Sequence, residues 1–243
     1  MMAESLVHGT VNFRDTGGLP AADSVTRHGV LFRSGNLATV TPEGEGDLAS
    51  LHLKRIIDLR DDEEVRHQPS RAGDIPIQRV PLFVGSVASF FTENLGLTDM
   101  YRTLVDDSAD RVLEVVRGVL ADQPVLVHCT VGKDRTGVTV ALTLAAVGVD
   151  ERAIVADYAR TEGLLPAERN RAVVEMVRKV HPESQNIIEL ATQSPARIMQ
   201  GLLADLTTRF GSPTDYLRAH GLSDDEIAGL RDVLIDRGAR SVV

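Results

Sequence analysis

PVLVHCTVGKDRTG, residues 124–137, decides how the rest of the chain is read. It sets out, in order, an apolar run ending at His128, a cysteine, five loop residues, an arginine and the start of an apolar segment. The run Pro124 to His128 has no polar interruption before its end, the pattern of a strand covered on both faces. The segment after Thr136, GVTVALTLAAV, is apolar on nearly every side and stops at Gly148, so it reads as a helix buried against a sheet. Ligands of open α/β sheets bind beyond the carboxyl ends of strands, and a helix N-terminus there offers unpaired N–H groups to an anion. The loop Thr130, Val131, Gly132, Lys133, Asp134, Arg135 can therefore wrap a phosphate. Gly132 permits the inward bend, and the Arg135 fork can grip two oxygens at once. The same field favours a thiolate at Cys129, an anionic nucleophile that would form a cysteinyl phosphate for water to hydrolyse.

Other uses of a cysteine fit less well. A lone Cys ending an apolar strand is often an inert core residue, but the arginine six residues on and the helix start each fit a phosphate-binding role. A nucleotide-binding P-loop needs Gly-Lys-Ser/Thr, and here Asp134 follows Lys133. A papain-like hydrolase has no demand for the arginine, and a rhodanese-type sulfurtransferase uses a loop one residue shorter. A phosphate-binding module without catalysis stays open.

Working outward, the runs Val30 to Phe32, Arg55 to Leu59 and Ile77 to Leu82 read as further strands. Thr41 and Pro42 cap and open a helix to about His52. Thr98 or Asp99 starts one that carries Leu104, Leu113 and Val116 toward Leu120. Asp150 caps a helix to Arg160, Pro166 opens one through Val180, and Ser194 precedes one reaching about Phe210. Ser223 and Glu226 form a capping-box signature for the last helix. With no repeat or linker in 243 residues, the expectation is one α/β domain over residues 1–243, with a mainly parallel sheet and a helical C-terminal half.

Composition narrows the function classes. Thirty-five acidic residues against 26 Lys and Arg give a net charge of −9, which disfavours nucleic acid as a partner. Cys129 is the sole cysteine, so no intrachain disulfide or multi-cysteine metal site can form. No basic-then-apolar leader opens the chain and no 18-residue apolar run occurs, so the expectation is a cytoplasmic protein without membrane insertion. Export by a route that leaves no signal stays open.

His128-Cys129-Thr130-Val131-Gly132-Lys133-Asp134-Arg135-Thr136 resembles the signature of the protein tyrosine phosphatase superfamily, in a bacterial branch that includes the mycobacterial tyrosine and lipid phosphatases. Asn12-Phe13-Arg14-Asp15, Leu31-Phe32-Arg33-Ser34, Asp58-Leu59-Arg60, Ala156-Asp157-Tyr158 and Tyr216-Leu217-Arg218 are similar to other elements of that branch. The resemblance implies a three-layer fold, a cysteinyl-phosphate mechanism without metal or cofactor, inorganic phosphate as product, and a phosphorylated protein or a phosphoinositide as substrate. It makes His128, Thr136, Arg14, Asp15, Asp58 and Arg60 candidate supporting residues.

The general acid is the open question. The familiar tyrosine phosphatases carry it on a loop marked by Trp, which this sequence lacks, and Val84, Gly85 and Ser86 stand where the branch can place an Asp. Asp134 is then the leading acid, with an ion pair to Arg14, Arg33 or Arg60 as the alternative use of its carboxylate. Glu93 and Asp99 are fallbacks. Phe83, Phe90 and Phe91 suggest a lid or a buried anchor. Lys133 is suited either to a second phosphate, as on an inositol ring, or to offsetting Asp134.

Overall fold

The computed structural model describes residues 5–82, 95–183 and 186–238. The central sheet takes β1 (Arg14–Asp15), β4 (Leu31–Ser34), β5 (Arg55–Asp58), β6 (Ile77–Arg79) and β7 (Val125–His128), in the order β1-β4-β7-β5-β6. All neighbours are parallel except β1, which runs antiparallel to β4. Three short strands, β2 (Pro20–Ala21), β3 (Ser24–Thr26) and β8 (Ile235–Asp236), form a second, antiparallel sheet that joins the two ends of the described chain.

The absence of polar alternation in β7 has a direct cause. Val125 and Val127 enter one apolar cluster while Leu126 enters another on the opposite face. Leu31 and Phe32 of β4, and Ile57 and Ile56 of β5, divide the same way. On one face lies α1 (Pro42–Ser50), started by Thr41, whose hydroxyl accepts the Gly44 N–H at 3.2 Å. On the other lie α3 (Leu97–Asp107), α4 (Ala109–Ala121), α5 (Asp134–Ala146) and α6 (Glu151–Leu164). Each Leu or Val that is fully buried this way is worth about 1.5–3 kcal/mol.

A single helix running toward Leu120 does not form. Ser108 adopts φ −130°, ψ 27° and separates α3 from α4. The break lets Leu104 and Leu113 both reach the core from differently directed segments. The pairing of β6 stops at Arg79: Val80 still donates to the Asp58 carbonyl at 3.0 Å, but Leu82 donates to Leu59, at 3.1 Å, one residue short of the Arg60 that an unbroken register would give it.

The C-terminal half is helical as expected, with α7 (Ala167–Val180), α8 (Ile187–Thr192), α9 (Ala196–Phe210), α10 (Pro213–Ala219) and α11 (Asp224–Leu234). The Ser223–Glu226 capping box is present. One further helix, α2 (Asp62–His67), follows β5 and carries its own capping box between Asp61 and Glu64.

Register sets the position of the site. Ser34, His128 and Asp58 lie side by side at the carboxyl ends of β4, β7 and β5. The residues that follow them, Gly35, Cys129 and Leu59, therefore emerge along one edge of the sheet.

Candidate active site

Cys129 leaves β7 nearly buried, at 3% exposure, and the chain then turns through Gly132, whose φ of 72° favours glycine. A Cβ on Gly132 would stand 2.4 Å from the Ser34 carbonyl oxygen, so the loop lies directly on the end of β4. The Gly132 N–H donates to Cys129 Sγ at 3.3 Å. The sulfur thus sits inside the loop, with a backbone donor aimed at it.

Arg135, on the first turn of α5, points its fork at a residue that the sequence reading passed over. Nη1 and Nη2 donate to Glu64 Oε2 and Oε1 at 2.6 and 2.7 Å, and Nη2 also reaches the Thr130 hydroxyl at 3.2 Å. The Thr130 hydroxyl donates in turn to Glu64 Oε1. Burial works to raise the Glu64 carboxyl, yet Arg135, Thr130 and the Asp61 N–H together pull it down to about 2. Burial likewise opposes the Arg135 cation, and the Glu64 carboxylate with the Cys129 sulfur more than offsets it. Asp61-x-x-Glu64 right after β5 was readable as a capping box and hence as a helix at the crevice. Nothing local told that the same carboxylate would also hold the arginine. Between α2 and the loop lies a cleft of about 300 Å³, lined by Asp61, Glu63, Glu64, His67, Gln68 and Thr130.

Asp134 opens α5 about a quarter exposed, and none of Arg14, Arg33 and Arg60 pairs with it. Its Oδ1 accepts the Tyr101 hydroxyl at 2.9 Å and lies 3.4 Å from Lys133 Nζ. Tyr101 is buried, and desolvation followed by the Asp134 charge holds its hydroxyl well above the ordinary value, so it remains a donor. Tyr158 stands 2.8 Å behind it, oxygen to oxygen.

The Lys133 ammonium does not face a substrate. It is buried and donates to the carbonyls of Leu190 and Gln193 at 2.7 and 2.9 Å, at the C-terminal end of α8. A cation is favoured where a helix leaves its last carbonyls unpaired. The expectation of a second-phosphate site on this side chain is thereby corrected, and Lys133 can serve a phosphate only through its backbone N–H.

The supporting candidates separate into two groups. His128, Thr136, Asp58 and Arg60 surround the loop. His128 lies with Nδ1 3.2 Å from the Cys129 carbonyl and Nε2 3.7 Å from Asp58, and burial, ahead of every other influence, lowers its pKa. The Thr136 hydroxyl is buried without a hydrogen-bond partner among the described residues. Arg60 pairs with Asp58 at 2.7 Å and also donates to the Gln68 carbonyl, which ties the end of α2 to the sheet. Arg14 reaches the site indirectly, through Asn12 and Asp157. Asp15 is not part of it: its carboxylate accepts N–H groups from Gly17 and Gly29 and pins a turn. Asp99 is exposed and caps its own helix through the Gly96 N–H at 3.0 Å, which removes it as a fallback acid. Glu93, Phe83, Phe90 and Phe91 fall outside the described residues. Among the described residues no cluster of His, Cys, Asp and Glu is arranged to hold a metal, and no helix is long and apolar enough to cross a membrane.

A strand-end cysteine inside a loop closed by an arginine is the arrangement of cysteine-dependent phosphatases, and a family model described as the tyrosine phosphatase family matches residues 6–236. The chain belongs to that family. It is 31% identical over 287 aligned positions to the triple specificity protein phosphatase PtpB of Mycobacterium tuberculosis, covering 96% of this chain and 100% of that one. It is 28% identical over 213 to a tyrosine-protein phosphatase of Nostoc commune, covering 82% and 72%. Among solved structures, TpbA of P. aeruginosa aligns over 86% of this chain and 88% of its own, with 17% identity and a TM-score of 0.37. In this phosphatase Cys129 and Arg135 are the cysteine and arginine of the Cys-x5-Arg loop.

Proposed function

We propose that the protein hydrolyses phosphotyrosine-type monoesters through a cysteinyl phosphate on Cys129. The observation that carries this reading is the placement of Sγ 3.3 Å from the Gly132 N–H inside a loop that Arg135 closes. In the first step Sγ attacks phosphorus, the S–P bond forms and the P–O bond to the leaving group breaks. Loop N–H groups and Arg135 stabilise the charge on the equatorial oxygens. Asp134 supplies the proton that the leaving oxygen needs, with Tyr101 and Lys133 holding one of its oxygens in place. Water then attacks the phosphorus and gives a proton to the Asp134 carboxylate, the S–P bond breaks to restore the Cys129 thiolate, and inorganic phosphate leaves.

The triple-specificity name of the mycobacterial relative supports a range wider than phosphotyrosine, for which phosphoserine, phosphothreonine and phosphoinositides are the classes to test. The geometry gives the lipid reading no support from Lys133, whose ammonium belongs to α8. Release of phosphate from a phosphotyrosine peptide, a phosphoserine peptide and a phosphoinositide panel, measured on one preparation, orders these classes. Absence of turnover on all of them would leave a phosphate-binding module instead.

A further inference from the structure

A loop that wraps an anion must turn its N–H groups inward, and this requires its carbonyls to be held outward by other donors. For Thr130, Val131 and Gly132 those donors come from the first 36 residues. The Thr130 carbonyl accepts the Asn36 N–H at 3.1 Å. The Val131 carbonyl accepts Asn12 Nδ2 at 3.1 Å. The Gly132 carbonyl accepts Asn12 Nδ2 and Arg33 Nη2, both at 2.9 Å.

Two of the three donor groups converge on one carboxylate. Asp157, on α6 and 3% exposed, takes Arg33 Nη1 on Oδ2 at 2.7 Å and Arg14 Nε on Oδ1 at 2.7 Å. Arg14 then donates through Nη1 to the backbone and side-chain oxygens of Asn12, which leaves the Asn12 amide nitrogen facing the loop. Asn12 itself has φ 62°, a conformation that asparagine tolerates better than most residues. Arg14 and Arg33 are both buried, so without Asp157 two guanidiniums would face each other out of water. Burial would raise the Asp157 carboxyl, but Arg33 and Arg14 bring it down to about 2, so it is charged across the working range.

We propose that Asp157 is the positioning residue of the phosphate loop: through Arg33 and Arg14 it orients the donors that hold the Val131 and Gly132 carbonyls away from the bound phosphate. This assigns a role to three stretches outside the Cys loop, at Asn12–Arg14, Arg33 and Asp157. It rests on the phosphatase reading above, since the loop must bind phosphate for its orientation to matter.

The test uses the full chain and inorganic phosphate as a competitive inhibitor, with thermal melting as the fold control. Asp157→Asn removes the hub. Asn12→Gly keeps the positive φ and the Arg33–Asp157–Arg14 charge balance but deletes the amide, so it carries the test if Asp157→Asn does not fold. Losing oriented donors on two carbonyls should raise the phosphate Ki and the substrate KM about tenfold in each folded variant. Arg160→Ala serves as the control, because Arg160 sits 4.0 Å from Asp157 on its exposed side and touches no loop carbonyl; its Ki should match the parent. A folded Asn12→Gly or Asp157→Asn protein with a parental Ki overturns the proposal, as does a loss of activity that only tracks the folded fraction. A parent that binds no phosphate would instead refute the phosphatase reading.

Discussion

Replacing Glu64 by Gln removes one negative charge from the Arg135 fork while keeping the length of the side chain. In the native protein both fork nitrogens are tied to its two oxygens at 2.6 and 2.7 Å. An amide offers one acceptor in place of two, and its NH₂ group faces donors on Arg135 or on Asp61 whichever way it turns. Two effects then compete. Freed of its partner, Arg135 pulls harder on an incoming dianion, which lowers KM. Released from its fixed plane, the same fork no longer meets the equatorial oxygens as charge moves through the transition state, which lowers kcat. Loss of one oriented, charge-assisted bond outweighs the gain in attraction, because the site is short of order rather than of positive charge. The expected result is a fall in kcat of about tenfold, equivalent to about 1.4 kcal/mol, with KM unchanged or lower. Steady-state kinetics on nitrophenyl phosphate separates the two, since that leaving group needs no proton. A kcat within about twofold of the parent together with a raised KM would refute this account, because it would mean that Glu64 serves ground-state binding instead.

The same substitution has a stability signature. The descent of the Glu64 carboxyl from 4.5 to about 2 corresponds to about 3 kcal/mol at neutral pH. Solvent reaches 28% of the side chain, which reduces the net figure to about 2 kcal/mol. A carboxyl depressed in the folded state contributes fully above its unfolded value and loses that contribution as pH falls toward the folded one. The window for Glu64 therefore runs from 4.5 down to about 2. Urea titrations should show the variant less stable than the parent at neutral pH, with the gap closing as acid is added through that window. A gap that stays constant would place the destabilisation in packing or in the lost cap.

Cys129→Ser should abolish turnover while leaving phosphate binding measurable by calorimetry, because a serine hydroxyl is not a competent nucleophile here; steady-state turnover in that variant would eliminate the covalent route. Asp134→Asn should slow alkyl phosphates far more than nitrophenyl phosphate, and equal damage to both would show that Asp134 only braces Tyr101 and Lys133. Lys133→Ala should lower Tm by about 4–8 °C, since it strands buried carbonyls at the end of α8 at a cost of about 2 kcal/mol. Its activity on a phosphotyrosine peptide and on an inositide should fall in equal proportion, and a selective loss on the inositide would restore a substrate role for the ammonium.

The placement of Cys129 and Arg135 was legible because their geometry is local. A strand end, a Cys, five residues and a helix start confine Cys129 and Arg135 to one loop whatever else the chain does. The strand Pro124 to His128 was legible for a related reason: burial on both faces leaves its apolar run unbroken up to His128. What could not be read is where a polar side chain goes when several partners lie within reach. Lys133 sits in the loop by sequence and outside it by contact, because α8 presents carbonyls from more than fifty residues downstream. Asp15 and Arg14 are adjacent, yet the alternation of side chains along β1 sends one to a surface turn and the other to Asp157. Glu64 was visible as a capping residue and hidden as the partner of Arg135, since capping is a local signal and that pairing spans 71 positions.

This division follows from what the two halves of the site must do. The reacting groups tolerate little variation in mutual distance, and placing Cys129 and Arg135 in one loop satisfies that requirement through chain connectivity alone. The loop cannot fix its own conformation, however. Its carbonyls would compete with the bound anion for the same inward space unless something outside it takes them. A mainly parallel sheet brings that help from distant stretches, because the carboxyl ends of its parallel strands deliver their next residues to the same edge, and antiparallel β1 brings Asn12 there from its amino end. Ser34 of β4 and Asp58 of β5 flank His128 of β7 in register, and behind them come Asn36, which holds the Thr130 carbonyl, and Glu64, which holds Arg135. Chemistry concentrated in one segment and orientation distributed over four others is the arrangement that a central β7 makes possible. A sequence change at Asn12, Arg33, Glu64 or Asp157 should consequently alter phosphate handling without touching a reacting atom.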